Sequence, residues 1–489
     1  MKLSNVGDFV KQWFFPSSFF LLAFLLSGCG AKNPGLTSAK IYLNLIPPDY
    51  DKATEQLQIA LKADSLNGEA HFLLGKIYAG KDMYPEMLSQ FDKAEKSRLK
   101  PKDSKIIDEI HQIKKQKWTE VLNSAIRLGR SRQQISQYKL DLLTDFSKYS
   151  GYKDSLKAIS TDLGVADRFA WDSYQMFSQT KPAIEELEGV VDQETARRYQ
   201  TAILIDSTRY EAFLNLAVEY VRRDESNQAL EYYRKAYQLK PDDPKVMNDY
   251  AIVLLSTSNY EEAENLYEKT LEKDSTNVNA LVNLAMIYAK KGDNEKALST
   301  YSRIISIDPE YKDAYFNRGL LLLARTQEKA SVVKSQKDSL AKKPKDKELL
   351  SQYQSAWTDY SQMLARAEAD FQRTVQIDST DKDAYFHLGL LYLSRAQLSD
   401  AGKSQDEDYG RAEGFFKKSV GLDSQDIEAL KYLGFTLLSE KKWEEATSHL
   451  EKSVELVPTD REAWGYLAIA YARLGQKDKA EAAFKKSGR

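Results

Sequence analysis

The residues able to do covalent or metal chemistry in this chain are few. Among 489 residues there are one cysteine and four histidines. A single thiol forms no intrachain disulfide and cannot build a Cys-based zinc site. His71, His111, His387 and His449 fall in four separate helical segments, so a metal site would need two of them to converge with carboxylates. Phosphate-binding glycine loops, Gly-x-Ser-x-Gly elbows and His-Glu-x-x-His pairs are absent from the sequence. The expectation is a protein that is not an enzyme and holds no cofactor. Cys29 stands apart by its context. It closes Leu26-Ser27-Gly28-Cys29, directly after the apolar run Phe19 to Leu26. Two small residues leave the backbone open to a peptidase, and a thiol is nucleophilic enough to form a thioether.

That N-terminal stretch has the anatomy of a targeting segment. Lys2 and Lys11 supply a positive start, and the eight-residue apolar run is too short for a bilayer, which takes about 20 residues. With Leu26 to Cys29 it resembles the lipobox signal of bacterial lipoproteins. The resemblance implies a signal peptide over 1–28, acylation of Cys29 with palmitate-type chains, and a lipid-anchored protein of the cell envelope. Two or more acyl chains hold a protein stably where one is marginal. Gly30, where an Asp would retain the protein in the inner membrane, favours the outer membrane facing the periplasm. Residues 29–37 are expected to be a flexible tether.

The composition bounds the rest of the chain. Hydrophobic residues make up 42% and charged residues 29%, the balance of a folded protein. A net charge of −2 offers no global field for nucleic acid. Only 12 prolines and 22 glycines over this length favour helices over turn-rich strands.

The elements that must carry any function are written in a 34-residue repeat. Ala217, Ala251, Ala285 and Gly319 recur at that spacing; Ala229, Ala263 and Ala297 come 12 residues later, and Tyr233, Tyr267 and Tyr301 four beyond those. Pro241, Asp274-Ser275 and Pro309 close the units. The pattern looks like the tetratricopeptide repeat. The resemblance implies an all-α fold, a right-handed superhelical solenoid in which small residues let paired helices touch and the aromatics fill the space between repeats. After Gly319 the partner alanine is delayed by 36 residues to Ala367, and after Gly389 by 11 residues to Ala412. Register then resumes through Gly434 with Ala446 and Ala468 with Ala480, making seven units between about 208 and 487 in a repeat array over 191–487.

Residues 38–100 read as an N-terminal repeat pair, from Ala53, Leu57 and Ala60 and from Gly75, Tyr78, Phe91 and Ala94. Residues 101–190 fit the repeat poorly and are expected to be divergent helical hairpins, with helical periodicity in Trp118, Val121, Leu122 and Ala125. The 36-residue insertion, about 324–360, reads as a helical hairpin projecting from the solenoid, with Lys342, Lys343, Lys345 and Lys347 at its tip.

In repeats of this kind the first helix lines the concave surface. Its fifth and ninth positions supply a candidate partner groove: Leu214, Val218, Ile252, Val282, Met286, Phe316, Leu320, Phe386, Leu390 and Phe435. The second position is mostly acidic, through Glu211, Asp313, Asp383, Glu428 and Glu462. A clamp for a C-terminal carboxylate needs lysines at position five, and only Lys431 is there, so the apolar floor instead suits an extended or helical peptide. Whether that floor is open or packed against the chain itself stays undecided at this level. The expected function is a membrane-anchored scaffold for protein partners in assembly of an envelope complex: a secretin or pilus, β-barrel assembly, or cell-wall enzymes. Self-association is compatible with this. The alternative is a small ligand or glycan in the groove, stacked on Phe316 and Phe386. Phe316→Glu with Phe386→Glu is expected to separate the two by abolishing protein capture while sparing the helices.

Overall fold

Aspartate and asparagine side chains set most of the repeat boundaries. Asp206, Asp274, Asp308, Asp378 and Asp423 end the second helices of their repeats in an extended conformation. Each then accepts the backbone N–H two residues on at 3.0 Å, the turn that a short acceptor side chain closes best. Three residues after Asp274, Asp378 and Asp423 a second such side chain caps the next helix: Asn277, Asp381 and Asp426 accept N–H groups at 3.0 Å, and Asp460 does the same after Val457. The Asp-Ser-Thr runs of the sequence are therefore helix stop and helix start in one turn.

The computed structural model describes residues 33–97, 104–400 and 402–488. It contains 21 α-helices and, among the described residues, no strand. The signal segment, Cys29 and the first part of the tether lie outside the described residues. The chain divides between Ser258 and Asn259 into two compact units.

The first unit begins with α1 (Pro34–Leu43), α2 (Tyr50–Ala63), α3 (Gly68–Gly80) and α4 (Tyr84–Lys96). The tether expected to run to residue 37 is already helix from Pro34. Pro34 sits in the first turn, where its missing N–H costs nothing, and Asn33 caps it by accepting from Leu36 N–H at 3.2 Å. Gly35 is buried because a Cβ there would lie 2.8 Å from the Gln56 carbonyl oxygen, so α1 rests directly on α2.

Residues 104–205 resolve into one elongated helix pair rather than several hairpins. α5 (Ser104–Thr144) runs 41 residues and packs against α7 (Phe177–Ile205); α6 (Tyr149–Asp162) folds over their far end. The near halves sit in the repeat stack: Trp118, Val121, Leu122 and Ala125 share one core with Phe91 of α4 and with Tyr199 and Ala202 of α7. Tyr199 and Ala202 precede Tyr233 and Ala236 by 34 residues, so α5 and α7 are the two helices of a repeat. The far halves build a separate head with its own core, which includes Leu128, Ile135, Leu156, Trp171 and Ile184. Glu188 is buried at the neck and satisfied by Arg132 at 2.7 Å, Lys139 at 2.7 Å and Ser136 at 3.1 Å, as a buried carboxylate must be. α8 (Tyr210–Arg222), α9 (Ser226–Leu239) and α10 (Pro244–Ser256) complete this unit.

The second unit runs from α11 (Tyr260–Lys273) through α12 (Val278–Lys291) and α13 (Asn294–Ile307) to a second elongated pair, α14 (Lys312–Lys342) and α15 (Lys347–Ile377). The 36-residue insertion is therefore a lengthening of both helices, as the sequence predicts, but their upper turns do not all project. Val333, Tyr360 and Leu364 are buried with Leu391 and Leu398 of α16 (Lys382–Leu398). Lys337 donates to the Leu398 carbonyl at 2.7 Å, and Tyr360 pairs with Ser394 at 3.2 Å. α16 is itself 17 residues long, four more than α18 (Ile427–Ser439), and that added turn is what the hairpin covers. The 11-residue delay and the 36-residue insertion are one structural feature. α17 (Lys403–Leu422), α18, α19 (Trp443–Leu456), α20 (Arg461–Arg473) and α21 (Lys477–Ser487) close the unit.

The small residues of the repeat have a sharper role than helix contact in general. A Cβ on Gly389 would lie 2.6 Å from the Phe416 ring and one on Gly319 would lie 2.9 Å from Phe371. The small position of the first helix is a seat for the aromatic of its own second helix. The same ring also reaches the next repeat, since Phe416 stacks on Tyr432 at 6.1 Å.

Candidate partner-binding face

The first helix of each repeat buries one stripe against its neighbours and turns another outward, and the ten predicted groove residues divide accordingly. In the first unit Leu214 is buried, whereas Val218 is 42% exposed and Ile252 is 47% exposed. In the second unit Met286 is 46% exposed; Val282, Phe316, Leu320, Phe386, Leu390 and Phe435 are half-buried. The ninth helix position is open at Val218, Ile252 and Met286 and half-buried at Leu320, Leu390 and Phe435. Three branched or flexible apolar side chains, 34 residues apart in the chain, thus meet water with no covering segment among the described residues.

Phe316 and Phe386 do not stand free on this face. Phe316 meets Phe371 at 5.8 Å and His387 at 5.7 Å. Phe386 meets Phe416 at 5.7 Å and Tyr432 at 5.8 Å. These rings knit consecutive repeats together, so the double glutamate variant expected to spare the fold would strike it instead. Phe435 is similarly engaged with Tyr466 at 4.8 Å.

Lys431, the one basic residue at position five, is buried and committed. Its ammonium lies 2.8 Å from Glu428, 3.4 Å from Asp460 and 3.6 Å from Glu462. Burial opposes its charge, but the Glu428 and Asp460 carboxylates outweigh it and push its pKa up to about 12. It has no capacity left for a ligand carboxylate.

The sixth helix position matters too, although the apolar pattern gives no reason to single it out. It holds Asn215, Asp249, Asn283 and Asn317, each half-buried, the first three one turn from the exposed Val218, Ile252 and Met286. Asn317 donates to its own helix at Asp313 O, 2.8 Å away. Asn215 and Asn283 make no hydrogen bond to another described residue, so each keeps an amide donor and acceptor for a main chain. The 34-residue step that reveals the small residues is the signal that would find these as well.

The histidines stay apart. His71 is buried between Gln90 Oε1 at 2.7 Å and Ser65 O at 3.1 Å. His387 lies among phenyl rings, and burial lowers its pKa. His111 is exposed beside Glu95 at 3.8 Å, and burial also lowers the pKa of His449. Among the described residues no group of three or more His, Cys, Asp or Glu is placed to hold a metal ion.

Comparison with known proteins agrees with this architecture. The family model "Cytochrome c-type biogenesis protein H TPR domain" matches residues 207–315, and two tetratricopeptide repeat models match 49–103 and 437–487. The chain carries tetratricopeptide repeats. With the helix pairs described above it is an all-α solenoid of that type. Tetratricopeptide repeat protein 8 of Caenorhabditis elegans is 28% identical over 117 residues, 24% of this chain and 23% of its own length. Photosystem I assembly protein Ycf3 of Prochlorococcus marinus is 33% identical over 94 residues, 19% of this chain and 47% of its own. The chain thus spans less than half the length of these curated relatives. Among solved structures, a tetratricopeptide repeat protein from Parabacteroides merdae is 18% identical with a TM-score of 0.38, covering 57% of this chain and 92% of its own. Pseudomonas aeruginosa pilF is 17% identical with a TM-score of 0.37, covering 54% and 98%. No helix among the described residues is long and apolar enough to cross a membrane.

Proposed function

We propose that this protein is a lipid-anchored scaffold of the cell envelope that holds other proteins on the outward stripe of its first helices. The observation that carries the reading is the exposure of Val218 and Ile252 in the first unit and of Met286 in the second, each beside a position-six Asn or Asp. Apolar side chains seat the partner's side chains, and free amides satisfy its main chain. The Leu26 to Cys29 signal supports the anchor. The relative Ycf3, a photosystem I assembly protein, supports the assembly class. The stacking residues on which a glycan reading depends are occupied by neighbouring rings.

The test is photo-crosslinking in the native host from crosslinkers at Ile252 and Met286, with Ser379 in an exposed turn as control and Cys29→Ser alongside. A defined set of envelope proteins captured from 252 and 286 but not from 379 supports the scaffold. Capture unchanged by Cys29→Ser would remove the anchor from the mechanism, and no capture above the Ser379 background would remove the face.

A further inference from the structure

The turn between α1 and α2 is an exposed and strongly apolar loop of the first unit. It reads Asn44-Leu45-Ile46-Pro47-Pro48-Asp49. Ile46 is 100% exposed, Leu45 39%, and Tyr50 just beyond 43%; Pro47 and Pro48 are exposed too. Such a cluster in water is a liability unless something covers it.

Most of its backbone donors are already bonded or absent. Asn44 N–H bonds to Lys40 O at 3.2 Å and Ile41 O at 3.1 Å; Leu45 N–H and Asp49 N–H both reach Tyr42 O, at 3.4 and 3.1 Å. Pro47 and Pro48 have no N–H. Ile46 is left as the loop's single unbonded backbone donor. Unpaired backbone groups are the main penalty for placing a loop in lipid; here the donor half of that penalty is nearly removed, while no backbone donor among the described residues reaches the carbonyls of Asn44 to Pro48, which suits the hydrated headgroup boundary rather than the hydrocarbon. Around the tip stand the groups suited to a headgroup layer: Tyr42 and Tyr50, with the Lys52 ammonium 5.7 Å from the Tyr42 ring, and Lys40. Asp49 and Asp51 balance the lysines, so the attraction is to the apolar boundary rather than to anionic lipid.

Reach points to the same occupant. Three residues separate Cys29 from Asn33, four chain steps or at most about 14 Å of extended chain. α1 is 10 residues long, about 15 Å. A tether of that length lets α1 run back toward the bilayer and deliver its far end to the surface. We infer that the Leu45–Pro48 loop dips into the lipid interface beside the anchor, a second contact that fixes how the first repeats stand on the membrane. This rests on the anchored reading of the N-terminal segment.

The test uses the full chain reconstituted in phosphatidylcholine–phosphatidylethanolamine vesicles, with Ile46→Cys or Ser379→Cys labelled by bimane. Intact mass reports separately whether Cys29 carries lipid, so loss of the anchor reading is seen on its own. The expected result is iodide quenching several-fold weaker at 46 than at 379, with brominated lipid quenching position 46 alone. Equal iodide quenching at the two positions overturns the inference. Shielding at 46 in host membranes but not in pure lipid assigns the loop to a protein and overturns it as well. A second pair, Leu45→Ser with Pro48→Cys, should restore iodide access at the tip if apolar insertion is the cause; unchanged shielding would refute that cause.

Discussion

Replacing Ile252 and Met286 with glutamate should separate binding from folding, and the structure sets the magnitudes. Burying such a side chain completely is worth about 1.5–3 kcal/mol. Ile252 and Met286 are 47% and 46% exposed, so roughly half of that, about 0.7–1.5 kcal/mol each, is still available to a partner. Loss at either site is therefore on the order of three- to tenfold in Kd, before any cost of desolvating the carboxylate. Folding should lose at most the half that is already buried, about 0.7–1.5 kcal/mol at each site. Phe386→Glu is the counterpart. Its ring meets His387, Phe416 and Tyr432 at 5.5–5.8 Å, and its removal should cost about 3–5 kcal/mol of stability. The assay is thermal unfolding by circular dichroism for all variants, then titration of whichever partner crosslinking captures. Two results would refute the reasoning. If Ile252→Glu and Met286→Glu melt as early as Phe386→Glu, those side chains are core. If the doubly substituted protein melts normally and binds its partner undiminished, the outward stripe is not the docking face.

Three further outcomes come from the packing and the charges. Gly389→Ala forces a Cβ to 2.6 Å from a fully buried Phe416 and should be about 1–3 kcal/mol less stable than Gly414→Ala; Gly414 is helical with open space around it, and denaturant titration compares the two. Asp370→Ala should cost about 3–5 kcal/mol, because it strands Arg318, whose guanidinium now grips the buried carboxylate at 2.6 and 2.8 Å; hydrogen exchange should localise the loss to α14 and α15. Asp378 titrates at about 2 in the folded chain instead of 3.8, held down by the Thr380 hydroxyl, the Lys312 ammonium and the Thr380 N–H. A depressed folded pKa stabilises above the unfolded value and is lost as pH falls through the folded one, so the melting-temperature gap between wild type and Asp378→Asn should shrink from about pH 4 down to pH 2.

The local and periodic part of this protein is legible from residue order alone. Ala217, Ala251 and Ala285, the tyrosines at 233, 267 and 301, and the Asp-Ser-Thr turns are set by contacts between neighbouring helices. Each repeat touches only the next, so a fixed spacing encodes a fixed contact, and even the buried Lys431 can be discounted as a clamp. Packing in three dimensions settles the features for which spacing stops carrying information. The 104–205 segment hides one elongated repeat because its two helices are parted by a head with a separate core. The two insertions are one feature because Lys337 and Leu398 meet across 61 residues. Above all, periodicity places Phe386 and Ile252 on the same helix face, but not the neighbour that covers one and leaves the other in water. That depends on how the next helix leans and how large its side chains are, and close packing between helices, not spacing along one of them, fixes both.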